Sequence, residues 1–304
     1  MLTSRRDPSP AGTAIQTGHS MRFVSFSTPS GDSFGLVRDN DVIDLASRLD
    51  VPSLKALIAA DRLGEAAQFA DAPADHSLDT IEFLPVIPDP THLWCLAINY
   101  EDHIEEIKAV GIQREKPKKP ALFARYPDTM MGHNAPILKP TVSNDVDWEV
   151  ELAVIIGKGG RHISEADAML HVAGYSIFND VSIRDWQFHT RQIIPGKNFR
   201  SSGGLGPWMV TADEIPDPHN LRVQARVNGT TYQDSNTSYQ IHRIPAFISY
   251  VSDILDLKPG DVLATGTPSG VGFSRKPPIF MKAGDVCECE VEGIGILSNP
   301  VVDE

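Results

Sequence analysis

DWEVELAVIIGK, Asp147 to Lys158, and AGYSIFNDVSIRDWQ, Ala173 to Gln187, decide how this chain reads. The first stretch alternates. Val146, Trp148, Val150 and Leu152 fall on one parity, Glu149 and Glu151 on the other. Residues two apart in a strand share a face, so the two glutamates point the same way, side by side. Carboxylates held that close repel, and burying them unpaired is costly, so something positive has to sit between them. The second stretch is an apolar run, Val172 to Phe178, that ends in Asn179-Asp180 and delivers a third carboxylate from another strand. Glu149, Glu151 and Asp180, with no Cys or His in the motif, favour a hard, oxygen-preferring cation: Mg²⁺, Mn²⁺ or Ca²⁺.

A lone Glu-x-Glu is more often an exposed pair on an edge strand. The continuation changes that balance. Arg184 follows Asp180 at four residues and Gln187 at seven. A helix over VSIRDWQFHTRQ would stack them on one face. A guanidinium and an amide beside a cation suit a substrate carrying a carboxylate and a carbonyl.

Upstream, LWCLAI within His92–Ile98 reads as a strand, followed by Asn99-Tyr100-Glu101-Asp102-His103-Ile104-Glu105-Glu106. In a helix from Tyr100 onward, His103 and Glu106 lie three apart on one face. A carboxylate bonded to an imidazole holds its tautomer and raises its basicity. For a lone His-x2-Glu, a solvated helix start is the plainer reading.

Taken in order, Glu149-x-Glu151, Asp180-x3-Arg184-x2-Gln187, Gly196-Lys197, Leu205-Gly206-Pro207-Trp208 and Thr265-Gly266-Thr267-Pro268-Ser269-Gly270-Val271-Gly272 resemble the fumarylacetoacetate hydrolase superfamily, from about Asp89 to the C-terminus. The type resembled is that of acylpyruvate hydrolases and 2-hydroxyhepta-2,4-diene-1,7-dioate isomerases. The resemblance implies an α+β, β-rich fold: a mixed β-sandwich roll behind a small α/β N-terminal domain, assembled as a homodimer. It implies Mg²⁺ or Mn²⁺ on Glu149, Glu151 and Asp180, with Ca²⁺ an occupant in crystals. His103 and Glu106 become a water-activating dyad on a mobile lid. Lys197 would stabilise negative charge on substrate oxygen, and Gln187 would orient substrate or water. Arg184, Arg125 and the Thr267 hydroxyl would bind substrate. Tyr239 and Arg191, with Tyr126, would build the variable distal pocket. The implied reaction is hydrolysis of a carbon–carbon bond in an acylpyruvate-like 2,4-dioxo acid. The alternatives are decarboxylation of a 2-oxo acid of the oxaloacetate kind, isomerisation of an unsaturated 2-hydroxy dioate, and, from another class, a non-catalytic metal-stabilised dimeric protein.

Composition bounds the rest. The chain has 304 residues, 41% of them hydrophobic, and a net charge of −13. No Lys/Arg-rich run suits nucleic acid or an anionic membrane, and no apolar run approaches the roughly 20 residues of a span. Three cysteines, Cys95, Cys287 and Cys289, show no zinc spacing and no disulfide framework, so the cytosol is the default compartment. Residues 1–20 read as a mobile tail without the apolar core of a secretory signal; their Arg pair leaves a mitochondrial address open. Residues 21–88 form the expected small domain and 89–304 the catalytic one. Helices are expected over Val51–Ala60, Leu63–Ala70, Ser164–His171 (Ser164 as N-cap) and Ile244–Leu255. Gly157–Gly160 reads as a hairpin turn, Ser201–Gly204 as flexible, and Asn228-Gly229 as a tight type I′ turn.

Overall fold

The computed structural model describes residues 21–113 and 115–304. The expected tail, 1–20, lies outside the described residues. Strand content dominates, in agreement with an α+β, β-rich fold. A 12-stranded mixed sheet runs in the order His76–Ser77, Asp41–Asp44, Gly31–Arg38, Arg22–Thr28, Gly203–Thr211, Val172–Asp180, Val150–Ile156, Val262–Ala264, Leu93–Ala97, Ala121–Ala124. Glu82–Phe83 and Met130–Met131 add on beside Arg22–Thr28 and Gly203–Thr211. A five-stranded sheet holds Thr230–Asn236, Arg222–Val227, Val286–Val291, Gly295–Asp303 and Ile137–Lys139. Arg22–Thr28 pairs with Gly203–Thr211, so residue 89 is no break in the sheet.

The middle of the large sheet carries the alternation seen in the sequence. Every residue of Val150–Ile156 is buried. Trp148, Val150, Leu152, Val154 and Ile156 join one apolar cluster with Phe247, Ile248 and Val251 of the helix Ile244–Ile254 and with Val223 and Cys289 of the smaller sheet. Ala153 and Ile155 face the other way, into a cluster with Phe23, Leu54 and Leu57. The odd parity therefore carries Glu149 and Glu151 on one face. The antiparallel register sets Val150 opposite Asn179 and Glu151 opposite Phe178, and the Asp180 amide donates to the Glu149 carbonyl at 2.9 Å. Asp180 thus stands across from Glu149, and cross-strand neighbours share a face.

Several expected elements hold. The hairpin at Asn228-Gly229 forms with φ of 51° and 75°, as a type I′ turn requires. Others are corrected. Only Leu54–Ala59 is α-helical in the first expected helix, capped by Ser53, whose side chain accepts from the Ala56 amide. Leu63–Phe69 is 3₁₀. Ser164–His171 is not a helix: Ser164 Oγ accepts from the Asp167 amide in a local turn, and only Ala168–His171 winds, as 3₁₀. Ala168 is buried there while Leu170 is 77% exposed, so no apolar stripe supports a longer helix. Residues 157–171 separate two paired strands, so Gly157–Gly160 is no tight hairpin turn. Ser182–Ile183 pairs with Val146–Asp147 instead of winding, which leaves one helical turn, Arg184–Gln187. Gly203 and Gly204, expected to flex, are buried in a strand. A Cβ on Gly203 would lie 3.2 Å from Arg125 Nη2, so the glycine admits that side chain.

Candidate active site

Strand pairing brings Glu149, Glu151 and Asp180 together; ligand oxygens from all three lie within 4.8 Å of one another, and all three residues are buried. The positive charge demanded by that arrangement is present. Lys197 Nζ donates to Glu149 Oε2 at 2.8 Å and to Asp180 Oδ2 at 2.6 Å. Arg184 Nη1 lies 2.7 Å from Glu149 Oε1. Burial alone would push the Glu149 carboxyl up, but Lys197 and Arg184 outweigh it and bring it down to about 2. Glu151 goes the other way. Burial first, then repulsion from Asp180 and Glu149, raise it well above the usual range. It accepts from the Gly266 amide at 2.7 Å and has no Lys or Arg ion pair among the described residues. A buried, under-compensated carboxylate beside two more is a donor set that fits a hard divalent cation.

The strand Leu93–Ala97 hands over to the helix Glu101–Ala109 through Ile98, which has φ of 56°. For a β-branched residue this left-handed conformation is a true outlier and costs about 1–2 kcal/mol. Asn99 holds the bend: its Nδ2 donates to the His242 and Thr265 carbonyls, and its Oδ1 accepts from the His242 amide, at 2.8–2.9 Å. Glu101 and Asp102 occupy the first helical turn and Gly111 follows the last, as helix polarity favours. One face then presents the expected pair, with His103 Nδ1 2.9 Å from Glu106 Oε2. Glu106 Oε1 also accepts from the Gly270 amide (2.8 Å) and Ser274 Oγ (2.6 Å). Burial raises the Glu106 carboxyl, but the bonds from His103 and Ser274 bring it below the ordinary value.

Glu149, Arg184, Lys197 and His103, but not Glu151, Asp180 or Glu106 themselves, line one cavity of about 100 Å³. Glu149, Arg184, Gln187, Lys197, His103 and Thr267 give it a polar side; Ile98, Ile107, Ile112, Phe188, Ile193 and Phe273 give it an apolar one. Arg184 is 3% exposed. Its Nε donates to Asp147 Oδ2 at 2.8 Å, its Nη1 to Gln187 Oε1 at 2.9 Å, and its Nη2 has no partner among the described residues. Its guanidinium lies 4.4 Å from the centre of the Phe273 ring. Thr267 lines the cavity, but its hydroxyl already donates to the Val150 carbonyl at 2.9 Å and accepts from Gln233 at 2.8 Å. The expected donation to a ligand is therefore corrected to a structural one.

Three expected substrate contacts do not meet the cavity. Arg125 is buried behind the carboxylates, with Nη1 on Asp180 Oδ1 and Nη2 on Ser202 Oγ, both at 2.5 Å. It braces Asp180. Tyr239 is 58% exposed, in the turn Thr237–Tyr239. Arg191 is exposed and borders a neighbouring hollow with Thr190 and Phe188. Tyr126 is exposed as well. Arginine and tyrosine at those positions gave residue type without direction.

Asp147 was missed. It is fully buried and accepts from the amides of Trp148 (2.9 Å), Gly272 (2.7 Å) and Phe273 (3.0 Å) as well as Arg184. Burial pushes its carboxyl up, against the pull of Arg184. It shares the odd parity of Glu149 and Glu151, and that alternation would have found it. Gln233 ties the glycine-rich turn to the central strand by accepting from the Val150 amide (3.1 Å) and donating to Thr267 and Pro268.

With this geometry established, the chain matches known proteins along most of its length. The family model for the C-terminal part of fumarylacetoacetate hydrolase matches residues 92–302. The chain belongs to that family, whose site is an enzyme's. It is 42% identical over 296 residues to the mitochondrial oxaloacetate tautomerase of Xenopus laevis, covering 93% of this chain and 91% of that protein. A mitochondrial oxaloacetate tautomerase of Homo sapiens is 39% identical over 303 residues, covering 95% and 94%. Among solved structures, a putative HpcE protein from Mycobacterium smegmatis superposes with a TM-score of 0.84 at 34% identity, covering 93% of this chain and 99% of that one. A maleylpyruvate hydrolase from a Sphingobium species, in complex with manganese(II) and pyruvate, gives 0.77 at 26% identity, covering 93% and 99%.

Proposed function

We propose that this protein moves a proton at the carbon beside the carbonyl of a small 2-oxo acid, with oxaloacetate, named for its relatives, as the leading substrate. One observation carries the reading: His103, held by Glu106 at 2.9 Å, lines the same cavity as Glu149 and as Arg184, whose Nη2 has no partner among the described residues. Glu149, Glu151 and Asp180 would hold Mg²⁺ or Mn²⁺. When bound, the ion supplies Lewis-acid polarisation of a carbonyl and carboxylate. Arg184 Nη2 pairs with a substrate carboxylate. Glu106 keeps the proton on His103 Nδ1, so Nε2 is the basic nitrogen. Nε2 removes a proton from carbon 3 and the resulting imidazolium gives it to the oxygen of carbon 2, so the proton is conserved and His103 ends neutral. The exchange consumes no water. Lys197, held by Glu149 and Asp180, has a third N–H to offer the developing oxyanion, and Gln187 holds Arg184 in place.

The test is direct. Oxaloacetate added as its enol should lose its enol absorbance faster with protein and Mg²⁺ or Mn²⁺ than with the ion alone. No acceleration at any tested concentration ends the reading.

The apolar side of the cavity supports a second reading, hydrolysis of an acylpyruvate. His103 would then take its proton from water, the hydroxide would add to the distal carbonyl, and the carbon 3–carbon 4 bond would break. Carbon 3 regains the proton from His103. Acetylpyruvate yielding pyruvate and acetate separates this from tautomerisation.

Residues 89–304 carry the chemistry in this proposal, and residues 21–88 buttress the sheet. A homodimer is proposed from the resemblance to the family; sedimentation at micromolar concentration checks it. Cys95, Cys287 and Cys289 are buried free thiols, which supports a reducing compartment. The names of the relatives place those proteins in mitochondria. Among the described residues no helix is long and apolar enough to cross a membrane.

A further inference from the structure

The residue next to the dyad makes contacts that the proposed reaction does not use. Asp102 Oδ1 accepts from the His103 amide at 2.8 Å. Its Oδ2 accepts from Ser269 Oγ at 2.9 Å and from Ser235 Oγ at 3.3 Å. Four residues on, Glu106 reaches the same loop through Gly270 and Ser274, and Lys276 Nζ donates to the Ala109 carbonyl at 3.2 Å. Residues 102 and 106 are one helical turn apart, so both carboxylates leave the same face.

The surface they grip is fixed. Gly270 has φ of 106°, and a Cβ there would come within 2.1 Å of the Tyr232 carbonyl oxygen. Arg275 Nη2 bonds the carbonyls of both Tyr232 and Gly270, at 2.8 and 3.2 Å. The helix is thus joined to the body by the strained bend at Ile98–Asn99 on one side and by these polar contacts on the other.

We infer that Asp102 is a positioning residue: it fastens the helix Glu101–Ala109 onto the turn at Ser269 and so sets His103 over the cavity. It touches neither substrate nor reacting atoms. Its hold on the His103 amide fixes the backbone, and Glu106 then fixes the ring. The kinetic half of this inference rests on the proposed function; the structural half does not.

The test compares Asp102→Ala, Asp102→Asn and Ser269→Ala with wild type, all loaded with Mn²⁺. Two quantities are measured: amide hydrogen exchange over 101–109, with 150–156 as the control for folding, and kcat and KM. Loss of hydrogen bonds to a charged acceptor should speed exchange in the helix of Asp102→Ala by about 10- to 100-fold. The control strand should be unchanged. kcat should fall by about tenfold or more while KM moves about threefold or less. Ser269→Ala should show a smaller change in the same direction, and it carries the test if Asp102→Ala does not fold. Asparagine keeps an oxygen for the His103 amide, and the serine hydroxyls can turn to accept from its NH₂, so Asp102→Asn should restore most of both quantities. Unchanged exchange over 101–109 in Asp102→Ala and Ser269→Ala overturns the inference. So does an Asp102→Asn protein as impaired as Asp102→Ala, because charge rather than placement would then be at work. Wild type inactive on both oxaloacetate and acetylpyruvate would sink the proposed function alone, and the exchange comparison would still decide the latch.

Discussion

Replacing Asp147 by asparagine isolates one charge at the back of the site. The two side chains have nearly the same shape. Asparagine's oxygen at the Oδ1 position can still serve the Trp148 and Gly272 amides. Its NH₂, at the Oδ2 position, would face two donors, Arg184 Nε and the Phe273 amide. Turning the amide round moves the conflict to the Trp148 and Gly272 amides. Two buried donors thus lose their acceptor, at about 1–3 kcal/mol each. Removing one partner of a buried ion pair costs about 3–5 kcal/mol in general. Two features reduce that here. Arg184 keeps Glu149 and Gln187, and burial already disfavours the charge on Asp147. The expected loss is therefore about 2–4 kcal/mol in urea unfolding, with an unchanged m-value. Oxalate binding in the presence of Mn²⁺ should weaken as well, by about tenfold, since Arg184 loses the bond that aims it. A variant within about 0.5 kcal/mol of wild type, the range of an ordinary surface substitution, would refute the claim that Asp147 holds Arg184 and the turn together.

His103→Ala and Glu106→Gln should each lower kcat by about 10²- to 10⁴-fold, the usual contribution of a general base, with little change in oxalate binding; steady-state kinetics beside calorimetry checks the split. EDTA should abolish activity and Mg²⁺ or Mn²⁺ restore it, and oxalate should bind appreciably only with the ion present, as calorimetry will show. The carboxyl of Glu149 is depressed from 4.5 to about 2, so its contribution to stability is present above pH 4.5 and lost as pH falls through about 2; Glu149→Gln should flatten the fall in Tm over that range. Glu151 is raised, so its contribution is full below 4.5 and lost as pH rises through its raised value; Glu151→Gln should raise Tm at neutral pH in EDTA while removing activity.

The central sheet was legible because period-two alternation survives burial on both faces. Val150–Ile156 and Val172–Asp180 read directly, and their pairing brought Asp180 to Glu149. Short helices were less legible. Ser164–His171 had a good cap and helix-forming residues, but Leu170 is left 77% exposed among the described residues. The site divides the same way. Glu149 with Glu151, and His103 with Glu106, are set by spacing within one stretch of chain, and Asp180 follows from the pairing of two neighbouring strands. The direction of Arg125, Tyr239 and Arg191 depends on what the neighbouring chain leaves open. Arg125 is turned inward by Asp180 and Ser202, a contact across 55 and 77 residues of sequence that no local pattern carries.

Charge explains why so polar a centre lies inside an apolar sheet. Asp147, Glu149, Glu151 and Asp180 are buried with Arg125, Arg184 and Lys197. Four ionised carboxylates against three cations leave one negative charge, and Glu151 is the group that bears the imbalance, since its carboxyl is the one raised by its carboxylate neighbours. A dication held there reverses the sign and leaves one positive charge. On the proposed function one substrate carboxylate would return the centre to neutrality, and Arg184 Nη2 is a buried donor with no acceptor among the described residues. Burial makes each of these steps matter, because an unpaired charge away from water is expensive. Ion and anionic substrate would therefore be thermodynamically linked in the proposed function: each would lower the cost of the other. On the proposed function, an acidic protein of net charge −13 would bind an anion by local compensation in this cavity, and not by its overall field.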